Sequence, residues 1–288
     1  MSLIQSLIIA VLQGATELFP VSSLGHAVIV PKLLHWNYDQ SDPTFLPFLV
    51  LLHLGTATAL LILYWRDWVA IITGFVRAAF RGKIETADER TAMLLVAGTI
   101  PAGVVGVVLQ TPLEKLFAAP TVAAVFLIVN GFVLIGAEML RRRDELRAKL
   151  RDERRSEQEA HYRSVEGMPY WAAFLIGVFQ SLALIPGISR SGVTMAGGLV
   201  AGLRHQEAAR FSFLMATPII LGAGVLEVPL LFKSGVPLAQ YALGAVVAGV
   251  CAYVSARFLI RWFKEGRLDP YGVYCIAAGV AALLIFSR

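Results

Sequence analysis

Residues 13–26 read QGATELFPVSSLGH and residues 180–194 read QSLALIPGISRSGVT, each placing polar and ionisable side chains in the middle of an otherwise apolar segment. The first lies inside stretch 3–34 and the second inside stretch 170–203. A helix rises 1.5 Å per residue, so crossing a bilayer takes roughly 20 apolar residues, and the arms on either side of each polar segment are too short. Backbone that leaves the helix at membrane depth persists only where protein or water satisfies its N–H and C=O groups. Both stretches are therefore predicted to be re-entrant helix–loop–helix hairpins with their tips near the midplane.

Around them the chain is built for lipid. It has 288 residues, 57% hydrophobic and 16% charged, too apolar to hide its surface in a soluble core. Full crossings are expected at 47–65, 91–109, 121–140, 211–232, 237–260 and 270–286. Tyr64, Trp65, Trp262 and Tyr271 fall at or just beyond span ends, where amphipathic rings favour the headgroup zone. The stretch 68–80 is short and contains Arg77, which makes it an interfacial helix rather than a crossing. No basic residue precedes the apolar stretch 3–12, so the N-terminus reads as part of the mature fold rather than a cleaved signal. Cys251 and Cys275 sit in apolar spans without ligand spacing and read as packing residues. The formal charge of +5 is concentrated beside spans, which argues against a nucleic-acid partner.

The two hairpins also resemble each other. Gln13 precedes Pro20-Val21-Ser22-Ser23 much as Gln180 precedes Pro186-Gly187-Ile188-Ser189, and three spans follow each hairpin. A hairpin returns to its own side while three spans end opposite, so the halves must be inverted. The expected fold is all-α: a polytopic membrane protein with an inverted-topology repeat, two re-entrant hairpins and six transmembrane helices. Its parts are a first repeat at 1–140, a charged cytoplasmic linker at 141–168 and a second repeat at 169–288. With this topology the N-terminal side holds only Lys32, Lys115, Lys233 and Arg288 among loop cations, and the rest, many in 141–163, lie opposite. The cation-rich side is cytoplasmic, which places both termini outside the cytoplasm.

Ionisable groups are costly in a bilayer, and here they cluster in the hairpins. Gln13 and Glu17 lie one turn apart on one helix face, followed by Ser22, Ser23 and His26. In the second hairpin Arg190 stands among Gly187, Ser189, Ser191 and Thr194 at the start of an apolar helix. Glycines permit close approach, a helix N-terminus presents free N–H groups, hydroxyls donate, and guanidinium grips phosphate oxygens. A Ser/Gly packing turn would explain the hydroxyls and glycines but not a buried Arg190. The first hairpin offers a hydroxyl nucleophile in Ser23 or Ser22, an imidazole in His26 for proton transfer, and Glu17 to orient it or hold a cation. His53 and Glu227, inside full spans, are expected to bond neighbouring helices. Glu138 and Arg257 lie near span ends, where long side chains snorkel, and His35, His161 and His205 are loop residues.

The motifs at residues 13–26 and 186–194, with LLHLGTATALLILYWRDW and RFSFLMATPIILGAG after them, resemble the bacterial undecaprenyl-diphosphate phosphatases, also called bacitracin-resistance proteins. The resemblance implies an enzyme of the bacterial inner membrane that removes the terminal phosphate of undecaprenyl diphosphate and so recycles the lipid carrier for cell-wall synthesis. It also implies a divalent cation, Mg2+ or Ca2+. It marks Gln13, Glu17, Ser22, Ser23 and His26 in the first motif and Ser189, Arg190, Ser191 and Thr194 in the second. Glu17 and Gln13 become candidate metal ligands, and the family admits Glu or Gln at the latter position; Gln leaves one carboxylate rather than two. The expected chemistry has Ser23 attacking the terminal phosphoryl group, with His26 or Glu17 taking its proton and Arg190 neutralising charge. His26 or water as the attacking group stays open, as does a homodimer against a single chain. An inverted-repeat transporter or flippase for an anionic or lipid-phosphate substrate is the competing class.

Overall fold

A computed structural model describes residues 1–36, 42, 44–109, 116, 119–152, 164–233 and 238–287. All regular structure among them is helical, in the order α1 (Leu3–Thr16), α2 (Ser23–Leu33), α3 (Phe45–Leu63), α4 (Trp65–Arg81), α5 (Ala87–Val108), α6 (Pro120–Asp152), α7 (Tyr170–Ser181), a 3-10 turn (Leu182–Leu184), α8 (Arg190–Val200), α9 (His205–Lys233), α10 (Leu238–Trp262) and α11 (Asp269–Phe286). Six described helices, α3, α5, α6, α9, α10 and α11, are long and apolar enough to cross a membrane. They match the expected crossings, although residue 237 of the fifth lies outside the described residues. The helices often outrun the apolar windows because helix ends are set by caps rather than by hydropathy. Thr86 and Glu89 close a reciprocal capping box that starts α5 before its apolar run. Beyond its apolar part, α6 continues into the charged segment as the expected helical extension; residues 153–163 of the linker lie outside the described residues.

α1 and α2 pack on each other, as do α7 and α8, so each polar stretch forms two short arms around a turn. α4 buries Ile71, Gly74 and Ala78 against α5 and exposes Phe75, Arg77 and Phe80, the amphipathic pattern expected of 68–80. The long-range packing is exchanged between halves. α1 lies on α10 and α7 on α5; α3 meets both α9 and α10, α9 meets both α3 and α5, and α6 pairs with α11. Interchanging each element with its counterpart in the other half leaves these pairings unchanged.

Two ionisable groups depart from the expected snorkelling and loop positions. Glu138 is buried, and its Oε2 meets His205 Nε2 at 2.8 Å and the backbone N–H of Leu268 at 3.1 Å. Three elements, α6, the start of α9 and the approach to α11, are tied there by one carboxylate. A buried carboxylate is tolerable only with such donors around it. Cys275 is buried and free, and Cys251 is free and half-buried.

Candidate active site

The short arms bring two helix starts together. α2 begins after Ser22 and α8 after Ser189, and each serine caps its helix by accepting the N–H three residues on, from Gly25 at 3.1 Å and from Gly192 at 3.1 Å. Aligned by their caps, Ser22 corresponds to Ser189 and Ser23 to Arg190, one residue off the register that the two prolines suggest. The first helical position therefore carries a hydroxyl in one hairpin and a guanidinium in the other, and both turn to the same carboxylate.

That carboxylate is Glu17, 6% exposed, at the C-terminal end of α1. Its Oε2 accepts from Ser23 Oγ at 2.5 Å and from Gln13 Nε2 at 2.8 Å, and its Oε1 accepts from Arg190 Nη2 at 2.7 Å. His53 Nε2, from α3, stands 3.2 Å from Oε2. The other nitrogen of His53 lies 2.7 Å from the carbonyl of Leu49, which only accepts, so Nδ1 carries a hydrogen. Nε2 facing the carboxylate then completes an imidazolium–carboxylate pair or shares one proton with Glu17.

These groups open on a cavity of about 610 Å³, whose polar wall includes Glu17, Ser22, Ser23, His53, Ser189 and Arg190. The remaining wall is mostly apolar and comes from α3, α5, the 3-10 turn and α9, with Thr99, Gln180 and the buried Glu227 as its further polar members, and its rim includes the exposed side chains of Val107, Val225 and Leu226. The N-terminal ends of α2 and α8 add partial positive charge at the wall. An oxyanion there would meet two helix starts, a guanidinium and hydroxyl donors.

Several expected site residues stand behind this wall. His26 is buried with Nδ1 donating to the carbonyl of Ser22 at 2.7 Å and Nε2 2.8 Å from the Tyr274 hydroxyl, its ring stacked on that tyrosine. Ser191 Oγ donates to the carbonyl of Phe19 at 3.0 Å, and Thr194 Oγ1 to that of Arg190 at 2.8 Å. Gly187 has φ +103°, and a Cβ there would lie 2.2 Å from the carbonyl oxygen of Ala123, so glycine is needed to seat the tip against α6. Gln13 touches the site only through Glu17. Ser191, Thr194 and Gly187 thus shape the tips rather than line the cavity, because local carbonyls left free by the turns take their hydroxyls and close packing takes the glycine.

Asn130 is not among the residues expected from the sequence, and His53, expected first of all to bond a neighbouring helix, does so at the site itself, on Glu17. Asn130, fully buried on α6, accepts the N–H of Ser189 through Oδ1 at 3.0 Å and donates to the carbonyl of Pro20 through Nδ2 at 3.0 Å. One amide thereby clamps both tips. Ser22 adds a second clasp: its Oγ accepts the N–H of Gly187 at 3.2 Å, and its φ of +65° is held against a strain of about 1–3 kcal/mol. A lone Asn in an apolar span was the available signal for Asn130.

A divalent ion has few ligands here. Glu17 already meets four donors, with Arg190 close enough to repel a dication. Gln13 Oε1 is buried without a hydrogen-bond partner but is not on the cavity wall. No group of three or more His, Cys, Asp or Glu side chains among the described residues could hold a metal. Mg2+ and Ca2+ favour several anionic oxygens, so this donor set does not fit an ion held by the protein alone.

A family model described as bacitracin resistance protein BacA matches residues 6–281. The chain is 48% identical over 289 residues to a protein named undecaprenyl-diphosphatase from Granulibacter bethesdensis, covering 98% of this chain and 96% of that one. It is 46% identical over 287 residues to a protein of the same name from Acidiphilium cryptum, covering 97% and 96%. With one from Mycolicibacterium paratuberculosis it shares 44% identity over 300 residues, covering 99% and 97%.

Proposed function

Because the chain belongs to the bacitracin resistance protein BacA family, we propose that it is an integral membrane phosphatase that hydrolyses undecaprenyl diphosphate to undecaprenyl phosphate and phosphate. The observation that carries this reading is the convergence of Ser23, Arg190 and His53 on Glu17 at the wall of a largely apolar cavity. A transporter needs an anion cradle but no hydroxyl held at 2.5 Å from a carboxylate.

Ser23 Oγ attacks the terminal phosphorus while its proton passes to Glu17. The bridging P–O bond breaks, and lipid monophosphate leaves with the electron pair. Glu17 hands its proton to the departing phosphate or to solvent. Water then attacks the phosphoserine, giving a proton to Glu17, which returns one to Ser23 Oγ as inorganic phosphate leaves. Arg190 and the two helix starts stabilise charge on the equatorial oxygens, in surroundings where little water competes. His53 holds Glu17 in place and balances its charge. His26 fixes the carbonyl of Ser22, and Asn130 keeps the tips in register. Asn130, Ser22 and the exchanged helix pairings support the reading of 1–140 and 169–288 as inverted repeats with hairpins facing one another. A divalent cation, Mg2+ or Ca2+, would have to be held by the substrate rather than by the protein, since Glu17 is already compensated by Arg190 and His53, and would supply charge neutralisation.

The apolar rim at Val107, Val225 and Leu226 suits an isoprenyl chain passing outward between α5 and α9. Loop charge supports the bacterial inner membrane with both termini outside the cytoplasm. The test is phosphate release from undecaprenyl diphosphate by purified wild-type protein, with a phosphoserine at Ser23 trapped by acid quench and mapped by mass spectrometry. Binding of the lipid without phosphate release would favour the transporter class.

A further inference from the structure

Gln180, at the end of α7, is 2% exposed and lines the cavity, yet neither its Oε1 nor its Nε2 has a hydrogen-bond partner. Thr99 on α5 lines the same cavity, and its Oγ1 is likewise buried without a partner. The two belong to one seam. Gly98 and Gly177 bring α5 and α7 into backbone contact, a Cβ on Gly177 falling 2.2 Å from the carbonyl oxygen of Gly98. Thr99 follows the first glycine directly, and Gln180 lies one turn after the second. An amide with no partner in an apolar wall costs about 1–3 kcal/mol for each unpaired group, so such groups persist where something else meets them.

Along α5 the lining residues Thr99, Ala102, Gly103, Gly106 and Val107 form one face, polar only at the end away from the exposed rim residue Val107. We propose that Gln180 and Thr99 form a second, uncharged subsite that binds the lipid-proximal phosphoryl group, the one the product retains. This rests on the phosphatase reading. A polyisoprenyl diphosphate has two polar groups, and the terminal one belongs to Ser23 and Arg190; everything beyond the second is hydrocarbon. The two N–H donors of Gln180 and the Thr99 hydroxyl suit phosphoryl oxygens, Gln180 Oε1 accepts only from a protonated one, as in a singly charged monophosphate, and the pair carries no cation to retain the product.

Gln180→Leu and Thr99→Val should each raise KM for the lipid diphosphate and the inhibition constant of isoprenyl monophosphate together, by about tenfold, as loss of one such hydrogen bond implies. The change should fall on these constants far more than on kcat, and Thr99→Ser should restore the wild-type values. An unchanged monophosphate inhibition constant in both valine and leucine variants overturns the subsite, as does a fall in kcat alone, which would mark a buried water or a packing role. Thr99→Val gives the same readout if Gln180→Leu does not fold. Failure of the wild type to release phosphate overturns the phosphatase reading instead, so the two outcomes are distinct.

Discussion

The two hairpin tips share a plan and differ in one functional position. Each closes with a capping serine that takes the N–H of a glycine three residues on, and each starts a helix at the cavity wall. At the next residue one offers the hydroxyl of Ser23 and the other the guanidinium of Arg190, and both bind Glu17. The rest of the second tip is spent on holding itself: Ser191, Thr194 and Gly187 serve carbonyls and close packing. The two arms supply converging helix ends, and in the proposed mechanism the one differing side chain on each splits the labour into attack by Ser23 and charge stabilisation by Arg190.

Ser23→Ala should break the division most severely, lowering kcat by about 10⁴-fold while leaving substrate binding nearly intact, as loss of a nucleophile does. Single-turnover phosphate release with a binding measurement checks it; near-full activity would remove Ser23 from its role. Arg190→Ala should come next, at roughly 10³-fold, with Arg190→Lys recovering only part because one ammonium cannot serve Glu17 and phosphate as a planar fork does. Breaking the buried pair also leaves Glu17 uncompensated, so the alanine variant should unfold earlier in detergent, by about 3–5 kcal/mol at most.

His53→Gln should cost less, about 10- to 100-fold in kcat, since Glu17 keeps its other donors. The check is the pH–rate profile, which should lose a titrating group; an unchanged profile would make His53 a plain helix contact. His26→Gln should cost least, about tenfold or less, with Tyr274→Phe giving a similar loss and the double variant no more than either. Strictly multiplicative losses would contradict a shared positioning role, and a thousandfold loss for His26 alone would return it to proton transfer.

Much of the architecture was legible because hydropathy and helix length are local properties. Six crossings, the amphipathic 68–80 segment and two interrupted arms follow from counting apolar residues against bilayer thickness. Glu17, Ser23 and Arg190 stood out because ionisable and nucleophilic groups are costly in lipid and were gathered in the two breaks. The family named from the motifs is the family whose model matches.

The rest depended on directions that only packing sets. Successive helical residues turn by about 100°, so a one-residue difference in where a cap falls decides whether a side chain faces the cavity or a neighbour. His26, three residues after Ser23, turns to Tyr274, while His53, 36 positions from Glu17, reaches it from another helix. Asn130 and Gln180 are single amides in apolar runs, and nothing local distinguishes one that clamps two loops from one that waits unpaired beside a cavity. Composition and spacing alone place this chain in lipid and gather its ionisable groups in two broken arms, because burial energy is written residue by residue. Which of those groups meet was left to packing, because the rotation of each helix is settled by all its neighbours together.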